Sequence, residues 1–347
     1  MIDTRAQERQ VFLAKHGFVS ADVTFVAGDA SFRKYYRVTV GEQVFILMDA
    51  PPGDEDVVPF VGVANCLLDF GYSAPKIYQM DIEHGFLLLG DLGDDSFNIM
   101  MAREATCEVM LYENAVDVLV DMQAKTLPDK LPAGPDLSYK FSLYSSDILQ
   151  TEARLLPDWT LTSLIGKDAE RDQEFDTLMA PLFERVTADK RCLTLRDYHA
   201  DNLMWLPERT GLARVGLLDF QDALIGHPAY DLVSLLQDAR RDVSPELEDI
   251  MIKRFIDSSR LESEENFRAI YAILGAQRNA KIVGIFTRLY LRDGKDAYLS
   301  LIPRVWALLE RNFWLEELAP LKAWVEMHVP LAMRREVMTP TLLQGGV

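Results

Sequence analysis

"LTLRDYHADNLMWL" (residues 193–206), followed after a turn by "GLLDF" (216–220), places Asp197, Asn202 and Asp219 among apolar, β-patterned runs. "CLTL" leads into the polar stretch and "LMWL" leads out of it. "PERTG" then supplies a turn into "LARVGLLDF", so the pattern is a loop followed by a hairpin. Two β-like flanks make a rigid frame for a polar loop. Asp197 and Asn202 stand five apart on that loop, and the hairpin can return Asp219 to their side.

The whole chain fits a folded, unexported protein. At 347 residues it is long enough for one large domain or two ordinary ones. Its hydrophobic share of 49% and charged share of 26% are ordinary for a globular protein. The net charge of -18 argues against nucleic acid or an anionic membrane as partner, because both require a basic surface. Cys66, Cys107 and Cys192 are odd in number and widely spaced, which suits neither a disulfide framework nor a zinc site and points to a reducing cytoplasm. The first residues, "MIDTRAQERQVFLAKHGF", carry charge throughout, and no run approaches the roughly 20 apolar residues of a membrane-spanning helix.

The first 90 residues read as strand-rich. Runs 23–27, 35–40 and 44–48 are separated by turn residues and end at Pro51-Pro52-Gly53; a helix over about 57–70 stops at Gly71, and "GFLLLGDLGDD" closes the region as an apolar strand plus turn. Beyond it helical periodicity dominates. Val109, Tyr112, Val116, Leu119 and Met122 recur at spacings of three and four and predict one buried face. Similar patterns cover 139–156, 170–187, 229–240 and much of 245–330. The boundary therefore falls near residue 91, with a β-rich N-lobe over 1–91 and a mainly helical C-lobe over 92–347.

Phosphoryl transfer from ATP needs a carboxylate near the acceptor hydroxyl and oxygen ligands that hold magnesium against the phosphates. An Asp-x-x-x-x-Asn loop followed, after a hairpin, by Asp-Phe supplies both. With "GLLDFQDALIGHPAYDLVSLL" behind it, the stretch resembles the aminoglycoside phosphotransferase and choline kinase superfamily. The matching positions are Asp197, Asn202, Asp219, Gly226, Pro228, Asp231 and Leu232. The resemblance implies an α+β, protein-kinase-like, two-lobed fold with a small antiparallel-sheet N-lobe and a larger helical C-lobe. It further implies Asp197 as catalytic base, Asn202 and Asp219 as magnesium ligands, and Asp231 as a structural tie between its helix and the loop.

"GDASFRKYYRV", "LMDAPP", "LLLGDLGD" and "AQRNAKIVGIFTRLYLRDGK" together are similar to the cytoplasmic anomeric kinases of N-acetylmuramate and N-acetylglucosamine used in cell-wall recycling. That similarity implies ATP and Mg2+ as cofactors, an amino-sugar acceptor and a monomer. Two departures stand out. Leu195 occupies the place where kinases usually carry a bracing His, so apolar packing must replace it. The third strand, "VFILMDAPP", offers Met48 and Asp49 where a kinase has its phosphate-binding Lys, and no Lys or Arg occurs from Val38 to Pro75. The nearest cations in sequence are Arg33, Lys34 and Arg37.

The remaining candidates each have a plain alternative. Ser31, Phe32 and Arg33 read as a phosphate-covering turn or as an ordinary hairpin turn; Gly90 and Leu92 read as an adenine-facing hinge or as the end of a buried strand. On the acceptor side stand His199, Asp222, Arg278 and Lys281. His199 could equally be a loop histidine bonded to backbone, and Asp222, like Asp201, could face solvent. Arg278, Lys281, Arg288 and Arg292 fall near one helix face, which is either a cationic stripe for an acidic sugar or a solvated face. Other acceptors, an aminoglycoside, choline or homoserine, stay open, as does a nucleotide-binding pseudokinase.

Overall fold

A computed structural model of the chain describes residues 4–28, 32–259, 261, 263–339 and 343. The chain divides into two compact units, each assembled from separate stretches. The first takes Met1–Val118, Thr126–Phe141 and Asp201–Ala223; the second takes Leu119–Lys125, Ser142–Ala200 and Leu224–Val347.

The first unit is organised by a five-stranded antiparallel sheet. Its strands are β1 (Asp22–Gly28), β2 (Lys34–Val40), β3 (Gln43–Asp49), β4 (Ile77–Asp81) and β5 (Phe86–Gly90), in spatial order β1-β2-β3-β5-β4. The three runs read from the sequence are β1 to β3, each extended by a residue or so. β3 and β5 are central and apolar on both faces, whereas β1 is exposed throughout. Alternation assigns the faces. Val38, Phe45, Leu47, Phe86 and Leu88 form one core cluster with Phe12 and Leu13 of helix α1 (Thr4–Lys15). Ile46 and Leu89 face the other way and line a cavity.

Asp49 follows the same parity. It is buried and meets α1, where Arg5 Nε donates to one oxygen at 2.7 Å and Arg9 Nη1 to the other at 2.8 Å. The two guanidinium groups also cover apolar rings, Arg5 over Phe86 at 4.0 Å and Arg9 over Tyr36 at 4.3 Å. Asp49 is therefore the bolt that fixes the N-terminal helix to the sheet. A tight turn before β5 completes this corner: Gly85 has φ +69°, and a Cβ there would lie 1.9 Å from the Ala50 carbonyl oxygen.

Helix α2 (Val58–Asp69) starts with Pro59 in its first turn and ends at Gly71, φ +86°, as the sequence reading anticipates. The hairpin Leu203–Trp205 with Val215–Leu217 also belongs to this unit, in the register Val215↔Trp205 and Leu217↔Leu203.

The second unit is mainly helical. Its axis is the 30-residue helix Glu264–Asp293, which packs against Ile302–Arg311, Ala229–Leu236 and a π-helical stretch, Leu156–Leu161. Gly284 permits the last contact, since a Cβ there would come within 2.2 Å of the Leu155 backbone. Thr160 and Thr287 hydrogen bond across it at 2.9 Å, so neither buried hydroxyl is wasted. The helix Glu108–Met122 lies across the boundary between the two stretches of chain and buries Tyr112, Val116, Leu119 and Met122. Val109, assigned to the same face by spacing, is 49% exposed, because the first turn of that helix lies outside the packed face. Among the described residues no helix is long and apolar enough to cross a membrane.

Replacing Asp49 by Asn leaves two cationic side chains facing a neutral amide on a buried strand. Removing one partner of such a buried pair costs about 3 kcal/mol. The expected outcome is a matching drop in unfolding free energy by denaturant titration; an unchanged midpoint and slope would show that α1 is held by its apolar face alone.

Candidate active site

The loop that carries Asp197 is built inside the second unit. Strand Cys192–Thr194 pairs antiparallel with Leu224–Gly226, and helix Ala229–Leu236 follows two residues later. Asp231, on the first turn of that helix, is fully buried and accepts two backbone hydrogen bonds, from Leu195 N–H at 2.6 Å and Arg196 N–H at 2.8 Å. Arg196 sits at φ +74°, in the left-handed region that a side chain with Cβ rarely adopts. The clamp is what keeps it there. Leu195 itself is buried, and the Asp231 carboxylate holds its backbone.

Arg196 is fixed at its other end too. Its guanidinium pairs with Glu152, which also receives a hydrogen bond from Tyr144 and the ammonium of Lys281 at 2.9 Å. Burial alone would raise the Glu152 carboxyl, but the charges of Lys281 and Arg196 outweigh it and hold the group below its usual range. For Lys281, burial pulls downward, and Tyr230 and Glu152 more than compensate. Burial and the nearby charge of Asp197 push the Asp231 carboxyl up to about 7, against the pull of its two N–H donors.

Two acceptor-side candidates thus lie beneath the loop. Arg278 is buried and donates to Ser234 at 2.8 Å; Lys281 sits on Glu152. Neither belongs to a solvated stripe, whereas Arg292 at the end of the same helix is exposed and pairs with Asp293. His199 is buried, its N–H bonds to the Asp197 carbonyl at 3.2 Å, and its Nε2 lies 3.4 Å from Arg240. Burial keeps its imidazole below the usual range.

Past Ala200 the chain enters the first unit, where Asn202 and Asp219 stand side by side. Leu218 N–H bonds to the Asn202 carbonyl at 3.0 Å, and Asn202 Nδ2 lies 3.5 Å from Asp219 Oδ2. Among the described residues Asp219 is the second non-glycine residue with positive φ, at 55°. Gln221 donates to its carboxylate at 2.7 Å, and the next residue, Phe220, is stacked on Phe60 of α2 with ring centroids 5.0 Å apart. The pair offers carboxylate and amide oxygens, the donor set that a hard cation such as Mg2+ takes, so these residues fit the metal.

Both residues open into a cavity of about 380 Å³ within the first unit. Val26, Ile46, Leu89 and Leu218 give it apolar walls, and Gly90 and Leu92 also line it. Gly90 N–H is already engaged by the Lys76 carbonyl at 2.8 Å. Arg37 is held by Asp91 and Asp94, each at 2.7 Å, and those hydrogen bonds raise its guanidinium further above its usual range. Arg33 is buried, Phe32 is 64% exposed, and Asp222 is exposed. Ser31 lies outside the described residues. Cys66 and Cys192 are pushed by burial up to about 11 and about 12, which removes them as nucleophiles.

Residues 22–267 match the phosphotransferase enzyme family, APH. The chain belongs to that family. The chain is similar to the N-acetylmuramate/N-acetylglucosamine kinase of Caulobacter vibrioides, 38% identical over 95% of this chain and 98% of that protein. The protein of the same name from Neisseria meningitidis serogroup B is 34% identical over 87% of this chain and 89% of its own length. Among solved structures, the choline kinase LicA from Streptococcus pneumoniae superposes with a TM-score of 0.58 at 15% identity, covering 88% of this chain and 99% of that one. The ADP-bound aminoglycoside phosphotransferase APH(2'')-Ib gives 0.55 at 15% identity, covering 89% and 97%. This phosphotransferase therefore has the protein-kinase-like fold, and it is an ATP-dependent enzyme acting on a hydroxyl.

Sequence spacing could not reveal Glu152, Asp91 or Arg240, whose partners lie far along the chain or on another element. Arg37 had a local signal: on β2 it shares parity with Tyr35. The clamp itself is testable. Asp231→Asn keeps one acceptor oxygen and loses the charge, and a hydrogen bond to a charged group contributes about 1.5 to 3 kcal/mol. The expected outcome is a lower melting temperature together with a kcat at least about tenfold down, relaxation of Arg196 being worth one such bond; unchanged turnover would show that the loop holds its own shape.

Proposed function

We propose that this phosphotransferase moves the γ-phosphoryl group of ATP onto the anomeric hydroxyl of N-acetylmuramate and N-acetylglucosamine, a reaction of peptidoglycan recycling. The observation that carries this reading is the likeness, over nearly the whole chain, to kinases named for both sugars.

In this reading Asp197 orients the anomeric hydroxyl and accepts its proton. An anomeric hydroxyl is more acidic than an ordinary alcohol, so a plain carboxylate suffices. Asn202 and Asp219 would hold Mg2+, which when bound supplies positive charge to the ATP phosphates. Gly90 and Leu92 border the adenine, and the turn at Ser31, Phe32 and Arg33 faces the phosphates. His199 and Asp222 line the acceptor side. Arg278 and Lys281 act on the acceptor through the loop they brace. The strand-rich region over 1–91 is the nucleotide-covering lobe, and 92–347 carries the catalytic loop. The three cysteines are free, which supports a reducing compartment such as the cytoplasm.

An acceptor panel of amino sugars, an aminoglycoside, choline and homoserine, followed by ADP release and by 31P NMR of the product, tests the assignment. The two N-acetylated sugars should be the substrates, with the new phosphate on the anomeric carbon. Asp197→Asn should lower kcat by at least about a hundredfold at saturating sugar, the usual contribution of a positioned general base. Turnover on choline or an aminoglycoside in place of both sugars would overturn the reading.

A further inference from the structure

Glu152 gathers donors from three separate parts of the second unit. Its Oε1 takes the Arg196 guanidinium and the Lys281 ammonium, the latter at 2.9 Å, while Oε2 takes the Tyr144 hydroxyl and Gln277 Nε2, the latter at 3.2 Å. The two cations thus share one oxygen and the two neutral donors share the other. Glu152 lies on the helix Ser146–Ala153, Gln277 and Lys281 lie one turn apart on the helix Glu264–Asp293, and Arg196 immediately precedes Asp197. One carboxylate therefore ties both helices to the residue before Asp197.

We propose that Glu152 is a positioning residue for phosphoryl transfer: through Arg196 it sets where Asp197 stands, and its negative charge rather than its shape does this. The inference deepens the proposed function and rests on reading Asp197 as the group that takes the acceptor's proton. Arg196 has a left-handed backbone, φ +74°, which persists only while its surroundings hold it. Asp231 grips its N–H and Glu152 its guanidinium, so the residue is fixed at both ends. A misplacement of about 1 Å at a reacting group can cost about a hundredfold in rate, so the brace is read in turnover.

Charge explains why this residue is a carboxylate. The side chains of Arg196, Glu152 and Lys281 are 20%, 11% and 13% exposed, so the three charges interact with little solvent between them. Burial favours the neutral form of Glu152, and Lys281 and Arg196 overcome it to hold the carboxyl below its usual range. An amide of the same shape cannot take its place. Its NH2 end would face either the two cations or Gln277 Nε2, which is itself a donor. With Lys281 also removed, the amide oxygen is left to Arg196 without a competing cation, so a loss at Glu152 is partly repaired by a loss at Lys281.

The test compares kcat, acceptor KM and calorimetric MgADP affinity in full-length protein, on whichever acceptor of the panel the wild type phosphorylates. Glu152→Gln should lower kcat by about tenfold or more, the loss of one charge-assisted bond, with acceptor KM and MgADP affinity within about threefold of the wild type. Lys281→Met should cost less, because it leaves one matched pair. The double variant Glu152→Gln/Lys281→Met should turn over at least about threefold faster than Glu152→Gln, a recovery that charge balance gives and lost packing does not. The proposal fails if Glu152→Gln keeps kcat within about twofold of the wild type, if MgADP affinity falls as far as kcat, or if the double variant is no faster than Glu152→Gln. Should Glu152→Gln not fold, Glu152→Asp, whose shorter stem cannot reach Arg196 and Lys281 together, is held to the same kcat and MgADP criteria. Failure of the Asp197 reading shows separately, as an Asp197→Asn variant that keeps its turnover.

Discussion

Two backbone N–H groups and one buried carboxylate decide the geometry of the loop that carries Asp197. Asp231 grips Leu195 and Arg196 at once, and only under that grip does Arg196 tolerate a left-handed backbone. A reversal at Arg196 turns the chain so that residue 197 leaves the strand direction of Cys192–Thr194. Local strain of this kind persists where its surroundings over-determine it. Here the surroundings are substantial: Asp231 from below, Glu152 on the guanidinium, and Tyr144 and Lys281 around Glu152. Asp219 repeats the pattern in the other unit, again at positive φ and again anchored by its neighbour, Phe220 on Phe60.

The sheet of the first unit separates two tasks by parity alone. On one face Asp49 binds two arginines of the N-terminal helix, and on the other Ile46 and Leu89 wall the cavity. An acidic residue where a lysine is customary looks like a lost function when the strand is read as a line. The pleat shows that it points elsewhere and secures a helix.

Much of this was legible in the sequence, and the boundary of legibility is physical. Strands β1 to β3 announced themselves through β-branched and aromatic runs closed by glycine and proline, and the Asp197, Asn202, Asp219 spacing marked the loop and hairpin. Arg278 and Lys281 were correctly seen to share a helix face, yet spacing says only that residues face alike and cannot say what covers them. The cover is Ser234 in one case and Glu152 in the other, the latter 129 residues away from Lys281. The left-handed turn at Arg196 had no signal either, because arginine is not a residue that favours it; the conformation is imposed by Asp231, 35 residues on.

The way the chain is shared between its two units also governs when the cavity can exist. The cavity needs β1 to β3 and β5, all present by residue 90, but its floor comes from Asn202, Leu218 and Asp219. A ribosome must therefore deliver more than a hundred further residues, including helices that belong to the other unit, before the first unit is closed. Until then the apolar walls at Ile46 and Leu89 lack their facing side, and the first unit cannot be obtained as a contiguous fragment by cutting the chain once. The order of the segments along the chain makes the late hairpin the part that completes the cavity.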